Sequence, residues 1–179
     1  MKTNPIGQTL YEMDTLNAVQ STEVRNWDDS SRISFQPDSL NRIVGDFNGD
    51  GKLDSAIVLQ PFIHKASGYC SDCRTCIVFS NNIDTLLIPH EAIDALLFNV
   101  GDLDSNGTDE LIVIPDWFNS CLGTQNLYTY ESEKWKLITK GNVYRCYPHL
   151  QIQNREDGSY AMKTHDANNE DTLHIFRIK

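Results

Sequence analysis

One stretch of this chain occurs twice. From Val44 to Val58 it reads VGDFNGDGKLDSAIV, and from Val100 to Ile114 it reads VGDLDSNGTDELIVI. Asp46, Asn48, Asp50 and Asp54 align with Asp102, Asp104, Asn106 and Glu110, so each copy carries oxygen-bearing side chains at loop positions 1, 3, 5 and 9. Gly51 and Gly107 fill position 6, where the chain must turn back on itself. Lys52 and Thr108 at position 7 would contribute only a backbone carbonyl, which leaves their side chains free to differ. Calcium takes six to eight hard oxygen ligands, and this spacing lets a short loop wrap one ion. Both copies hold three acids among these positions, so both are expected to be competent. The bland alternative is a pair of tight acidic turns held by Asx-type hydrogen bonds.

Position 12 decides what flanks the loops. A helical calcium loop closes its ion with a bidentate acid there and enters a helix. Here position 12 is Ile57 in one copy and Val113 in the other, and neither binds an ion. The runs that follow, AIVLQ and LIVIP, are β-branched and favour strands. Each loop is therefore expected to join two strands and to close on position 9. Strand-like segments recur around both loops in the same order: Arg42–Phe47, Ser55–Gln60, Cys76–Ser80 and Thr85–Ile88, then Ala95–Leu103, Glu110–Ile114, Leu127–Glu131 and Trp135–Thr139. A third group, Leu150–Arg155, Tyr160–His165 and Leu173–Ile178, lacks a loop of this kind; its DANNED segment (166–171) has no glycine and reads as a plain turn. Asp157-Gly158 reads as a two-residue hairpin turn. Four strands per repeat is the mark of a propeller blade. The expected fold is all-β: a small β-propeller-like domain with units at about 40–90, 95–141 and 143–179.

These residues carry a resemblance. GDFNGDGKLDSAIV and GDLDSNGTDELIVI resemble FG-GAP repeats, the calcium-loop blades of integrin α-subunit propellers and of many bacterial extracellular proteins. The resemblance covers about residues 40 to 141 and implies Ca2+ as the cofactor. The chain departs from the family in length, because a closed propeller needs four to eight blades. Small bacterial calcium-binding proteins with partial propeller-like folds include inhibitors of lysozyme-like enzymes, a role the resemblance permits without selecting it.

The rest of the chain narrows the function classes. A net charge of −10 argues against nucleic acid or anionic membrane as a partner, since both need clustered Lys and Arg. No apolar run is long enough to span a membrane, and MKTNPIGQTLYEM lacks the apolar core of a signal peptide. Residues 1–30 read as an irregular or short helical leader, with Leu10, Met13, Leu16 and Val19 at helical spacing, and Ser31–Phe35 as a first strand. His90–Leu97 (HEAIDALL) admits one or two helical turns.

Five cysteines are present. Cys70, Cys73 and Cys76, with His64 nearby, could hold zinc or do redox work. The preferred reading is structural: disulfides or buried thiols, with Cys121 paired to Cys146 or to a cysteine of the first connection. His90, His149, His165 and His174 fall in no acid–base pattern, and no nucleophile, zincin or phosphate-loop signature is present. Tyr69 in the first long connection, and Trp117 and Phe118 in the second (Pro115 to about Gln125), are candidate partner contacts; Trp135, between Lys134 and Lys136, is expected in the core. Calcium loops and disulfides both suit an extracytoplasmic setting: periplasmic, lipid-anchored or secreted. The sequence thus points to a non-enzymatic calcium-binding β domain that presents loops to a protein or glycan. The alternatives are an inhibitor or immunity-type protein against a lysozyme-like cell-wall hydrolase, and a thiol or metal enzyme using the Cys70/Cys73/Cys76 connection.

Overall fold

The computed structural model describes residues 42–61, 70, 73–117, 120–146, 148, 150–166, 168 and 170–178. The chain divides into two units, Met1–Pro37 and Asp38–Lys179, and the described residues belong to the second. The expectations for the leader, the Ser31–Phe35 strand, His64, Tyr69, Phe118 and His149 lie outside the described residues.

All described regular structure is β. Strands β1 (Arg42–Gly45), β2 (Asp54–Leu59), β3 (Cys76–Phe79) and β4 (Leu86–Leu87) form the first sheet in chain order. Strands β5 (Asp94–Gly101), β6 (Glu110–Asp116), β7 (Leu122–Glu131) and β8 (Lys134–Tyr144) form the second in the same way. Strands β9 (Ile152–Asn154), β10 (Tyr160–His165) and β11 (Asp171–Phe176) form a three-stranded third sheet. Every pairing is antiparallel, so each sheet is a meander. Among the described residues the three sheets close no ring.

The sheets stack because the middle one is apolar on both faces. Leu111 and Val113 of β6 join Phe47, Ala56, Ile77 and Phe79 in a core between the first and second sheets. Ile112 and Ile114 join Tyr160, Met162 and Phe176 in a second core on the opposite face. Period-two alternation thus sends neighbouring residues of one strand into two separate cores. That explains why β6 reads as a continuous apolar run. Between the second and third sheets, polar groups reinforce the apolar contact: Gln125 Nε2 donates to the Lys163 carbonyl (2.6 Å) and Thr164 Oγ1 to the Asn142 carbonyl (2.8 Å).

Several expectations need correction. His90–Leu97 forms no helix; Asp94 begins β5, whose Ala95 and Leu97 face one core while Leu96 and Phe98 face the other. The second long connection shrinks to residues 117–121, because Pro115 and Asp116 still pair with Ala95 and Asp94, and β7 begins at Leu122. Pro115 is tolerated there because β6 pairs with β7 only from Leu111 to Val113. The Asp157-Gly158 hairpin has a three-residue loop. Gly158 N–H donates to the Arg155 carbonyl, Arg155 N–H to the Ser159 carbonyl, and Gly158 has φ +72°. DANNED is a turn as expected, with Asp166 Oδ1 accepting from Asn168 and Glu170 N–H. Trp135 packs against the first core between Phe79 and Tyr130.

Meander topology sorts the connections. The β1–β2 and β3–β4 loops leave one end of the first sheet, and β5–β6 and β7–β8 the matching end of the second. The cysteine-bearing β2–β3 and β6–β7 connections leave the other ends. If stacking on β6 holds the sheets together, Ile112→Ala destabilises the domain by about 2–5 kcal/mol in urea unfolding, whereas Leu173→Ala, at a residue 56% exposed, shifts it by less than ~0.5 kcal/mol.

Candidate metal centre

Both repeated loops are wound by the same hydrogen bonds. Asp46 accepts from the N–H groups of Asp50 (3.0 Å) and Gly51 (2.8 Å), and Asn48 Oδ1 also accepts from Asp50 N–H (3.0 Å). In the second copy Asp102 accepts from Asn106 (3.0 Å) and Gly107 (2.9 Å), and Asp104 Oδ1 from Asn106 N–H (3.1 Å). Position 5 repeats the pattern: Asp50 Oδ1 accepts from Lys52 N–H (2.8 Å) and Asn106 Oδ1 from Thr108 N–H (2.7 Å). Position 6 has φ +79° in Gly51 and +91° in Gly107, the left-handed backbone expected there. One residue of each loop that the spacing did not flag is left-handed as well: Gly49 (+73°) and Ser105 (+62°).

The loops part company at position 9. Asp54 and Glu110 are both fully buried. Each reaches back to the residue after position 1: Asp54 Oδ2 accepts from Phe47 N–H (3.1 Å) and Glu110 Oε2 from Leu103 N–H (2.7 Å). The second oxygen of Asp54 is also satisfied, by Asn81 Nδ2 (2.6 Å) from the β3–β4 turn. The second oxygen of Glu110 makes no well-formed hydrogen bond, and the Thr129 hydroxyl lies beside it. One oxygen from each of Asp102, Asp104 and Glu110 lies within 4.8 Å of the others, and no second such grouping occurs among the described residues. Burial therefore pushes the Glu110 carboxyl up to about 7, with Asp104 and Asp102 adding to the rise; the Leu103 N–H and the nearby Thr129 hydroxyl, itself in no well-formed hydrogen bond, oppose it. Three carboxylates converging at a loop, one buried and half-satisfied, form a donor set for a hard cation. Both loops were expected to be able to bind an ion, with room for different affinities; among the described residues Asp46, Asp50 and Asp54 form no such grouping.

The two loops are also joined, through residues that the motif spacing does not mark. Asp109 accepts from Asp46 N–H (3.0 Å) and Asn99 Nδ2 (2.8 Å), while Asp109 N–H donates to the Asp46 carbonyl (2.8 Å). Asn99 Nδ2 donates in turn to the Val44 carbonyl (3.0 Å). Gly45 makes this approach possible, since a Cβ there would sit 2.4 Å from Asn99 Nδ2 and 2.7 Å from the Asp109 carboxylate. Tyr160 of the third sheet donates its hydroxyl to the Leu103 carbonyl, which packs the second loop from the other side.

The cysteines sort into pairs. Cys70 bonds Cys73, and Cys121 bonds Cys146, with Cα atoms 5.5 and 5.1 Å apart. Of the partners open to Cys121, the structure selects Cys146. Cys76 keeps a free thiol, which burial pushes up and so away from the reactive thiolate. Arg145, unremarked in the sequence, organises the short β6–β7 connection: its nearly buried side chain donates to the Ser120 and Trp117 carbonyls (2.7 and 3.0 Å) and lies 3.3 Å from Asp116. Trp117 is half-buried beside it. His174 meets Thr139 (2.8 Å), and His165 lies 3.3 Å from Asp171.

The raised Glu110 carboxyl has a pH consequence for the ion-free protein. Its folded value of about 7 stands above the ordinary 4.5, so the folded state holds the proton more tightly. The stability it contributes is complete below the lower value and is lost as pH rises through the upper one, by on the order of 3 kcal/mol. Urea unfolding in chelator should show wild type losing more stability than Glu110→Gln between pH 5 and pH 7.5; equal slopes would contradict this assignment.

No protein-family model, curated protein or solved structure matches the chain.

Proposed function

We propose that the chain is a calcium-stabilised, extracytoplasmic β domain of FG-GAP-like blades that presents loops to a protein or glycan and does no chemistry of its own. The observation that carries the calcium part is the convergence of Glu110, fully buried and with no well-formed hydrogen bond at its second oxygen, with Asp102 and Asp104. Calcium would be held there by Asp102, Asp104, Asn106, the Thr108 carbonyl and Glu110, and would offset the repulsion within the loop. Two disulfides support a location outside the reducing cytoplasm. The alternatives gain less. In the thiol or metal reading, two of the three clustered cysteines are consumed in a disulfide and the third thiol is pushed toward its neutral form.

An ion that binds only the folded chain raises its stability by mass action, by about 2.7 kcal/mol at a hundredfold excess over Kd. Differential scanning calorimetry should therefore give a higher melting temperature in calcium than in chelator. Glu110→Gln should abolish most of that rise, while Asp54→Asn should preserve it even though it lowers the baseline. A wild-type melting temperature indifferent to calcium would sink the proposal.

A further inference from the structure

A cleft of about 850 Å3 opens at the loop end of the first two sheets. It is broad and open to solvent rather than enclosed. Both repeated loops contribute to its wall, through Asn48 and Asn106 among others, and the β3–β4 and β7–β8 turns supply the rest. The wall is unusual in its backbone. Asn81, Asn82, Ser132 and Glu133 all have left-handed φ values, between +53° and +62°, and all four line the cleft. Asn adopts that conformation readily; Ser and Glu do not. A two-residue hairpin turn with both φ values positive favours Asn-Gly or Asp-Gly, yet Ser132-Glu133 stands between β7 and β8. Residues kept in a disfavoured conformation cluster where their side chains serve something other than the turn.

The chemistry of the wall selects a ligand class. Protein interfaces are anchored by apolar and aromatic groups in desolvated pockets, with charge depleted at the centre. This wall instead mixes Ile83 and the Tyr130 ring with amides, hydroxyls and four carboxylates, so charge is not depleted in it. The turn bonds occupy the Oδ1 atoms of Asn48 and Asn106 and leave their amide nitrogens as donors. Glu133 and Asp84 bring acceptors to the same wall. Rigid planar donors and acceptors beside an aromatic ring match the vicinal hydroxyls of a sugar. Carboxylates outnumber the single cation, Lys134, so the wall repels anionic sugars.

We infer that this cleft binds a neutral or amino-bearing oligosaccharide, with Ser132 and Glu133 retained for that contact at the expense of the turn. The inference narrows the binding-domain reading above and moves the contact surface from the cysteine-bearing connections to the opposite, loop end of the sheets.

The test titrates the full chain, in calcium and in chelator, with N-acetylglucosamine and glucosamine tetramers, using oligogalacturonate as the anionic control. Calorimetry reads affinity, and melting temperature is recorded on the same samples. Binding of a neutral or amino tetramer is expected, with at least about a tenfold loss in the double substitution Ser132→Asn/Glu133→Gly. Those changes install a favoured turn, so the melting temperature should stay level or rise, which separates lost contact from lost fold. Absence of binding at millimolar tetramer, undiminished binding by the double variant, or preference for oligogalacturonate would overturn the inference. Sugar binding without a calcium-induced melting shift would uphold the cleft and remove the ion; the shift without sugar binding would do the opposite.

Discussion

A carboxylate sealed between two strands must have its oxygens satisfied, and much of the loop end follows from how that is done. Burying an anion without partners costs several kcal/mol, so the group is either hydrogen-bonded, protonated or bound to a cation. Asp54 takes the first route. The Phe47 N–H and the Asn81 side chain use both its oxygens, and Asn81 reaches it from a turn of the same sheet. Glu110 is one methylene longer. It reaches the Leu103 N–H with one oxygen, while the other makes no well-formed hydrogen bond and lies near two more carboxylates. One side-chain length therefore separates a loop whose buried carboxylate is fully hydrogen-bonded from one whose carboxylate is not.

That difference propagates through packing. The two loops share Asp109 and Asn99, whose bonds tie the first loop's Asp46 and Val44 to the second loop. Gly45 permits the approach. The second loop is backed by Tyr160 through Leu103, and Leu103 packs against the core behind β6. Hydrogen bonds from Glu110 and its neighbour Asp109 thus reach residues of both sheets that flank the cleft. In this account the loops hold the walls, and the walls carry the recognition.

Much of this was legible in the residues because two periodicities do not overlap. Acids spaced for a loop, followed at once by β-branched runs, leave few folds open, and Ile57 and Val113 at position 12 remove the helical one. The all-β class and the run of strand segments on either side of each loop follow from that pattern. The inequivalence of the loops was hidden, because Asp and Glu look interchangeable at position 9 until Asn81 is seen to reach only one of them. Asp109, Asn99 and Arg145 were hidden for a similar reason: their partners lie across sheets or connections, and no local period marks them. HEAIDALL misled because a strand buried on both faces has apolar residues in succession, which a helix shares. The cleft could not be read at all, since its walls come from four separate connections.

The central claim is that Glu110 completes a cation site in the second loop. A crystal structure grown with calcium, with anomalous scattering collected to locate the ion, tests it most directly. The account predicts an anomalous peak in the second loop, with oxygens of Asp102, Asp104, Asn106, Thr108 and Glu110 at about 2.3–2.6 Å. A second loop with no peak, and with Glu110 hydrogen-bonded within the protein through both oxygens as Asp54 is, would contradict it.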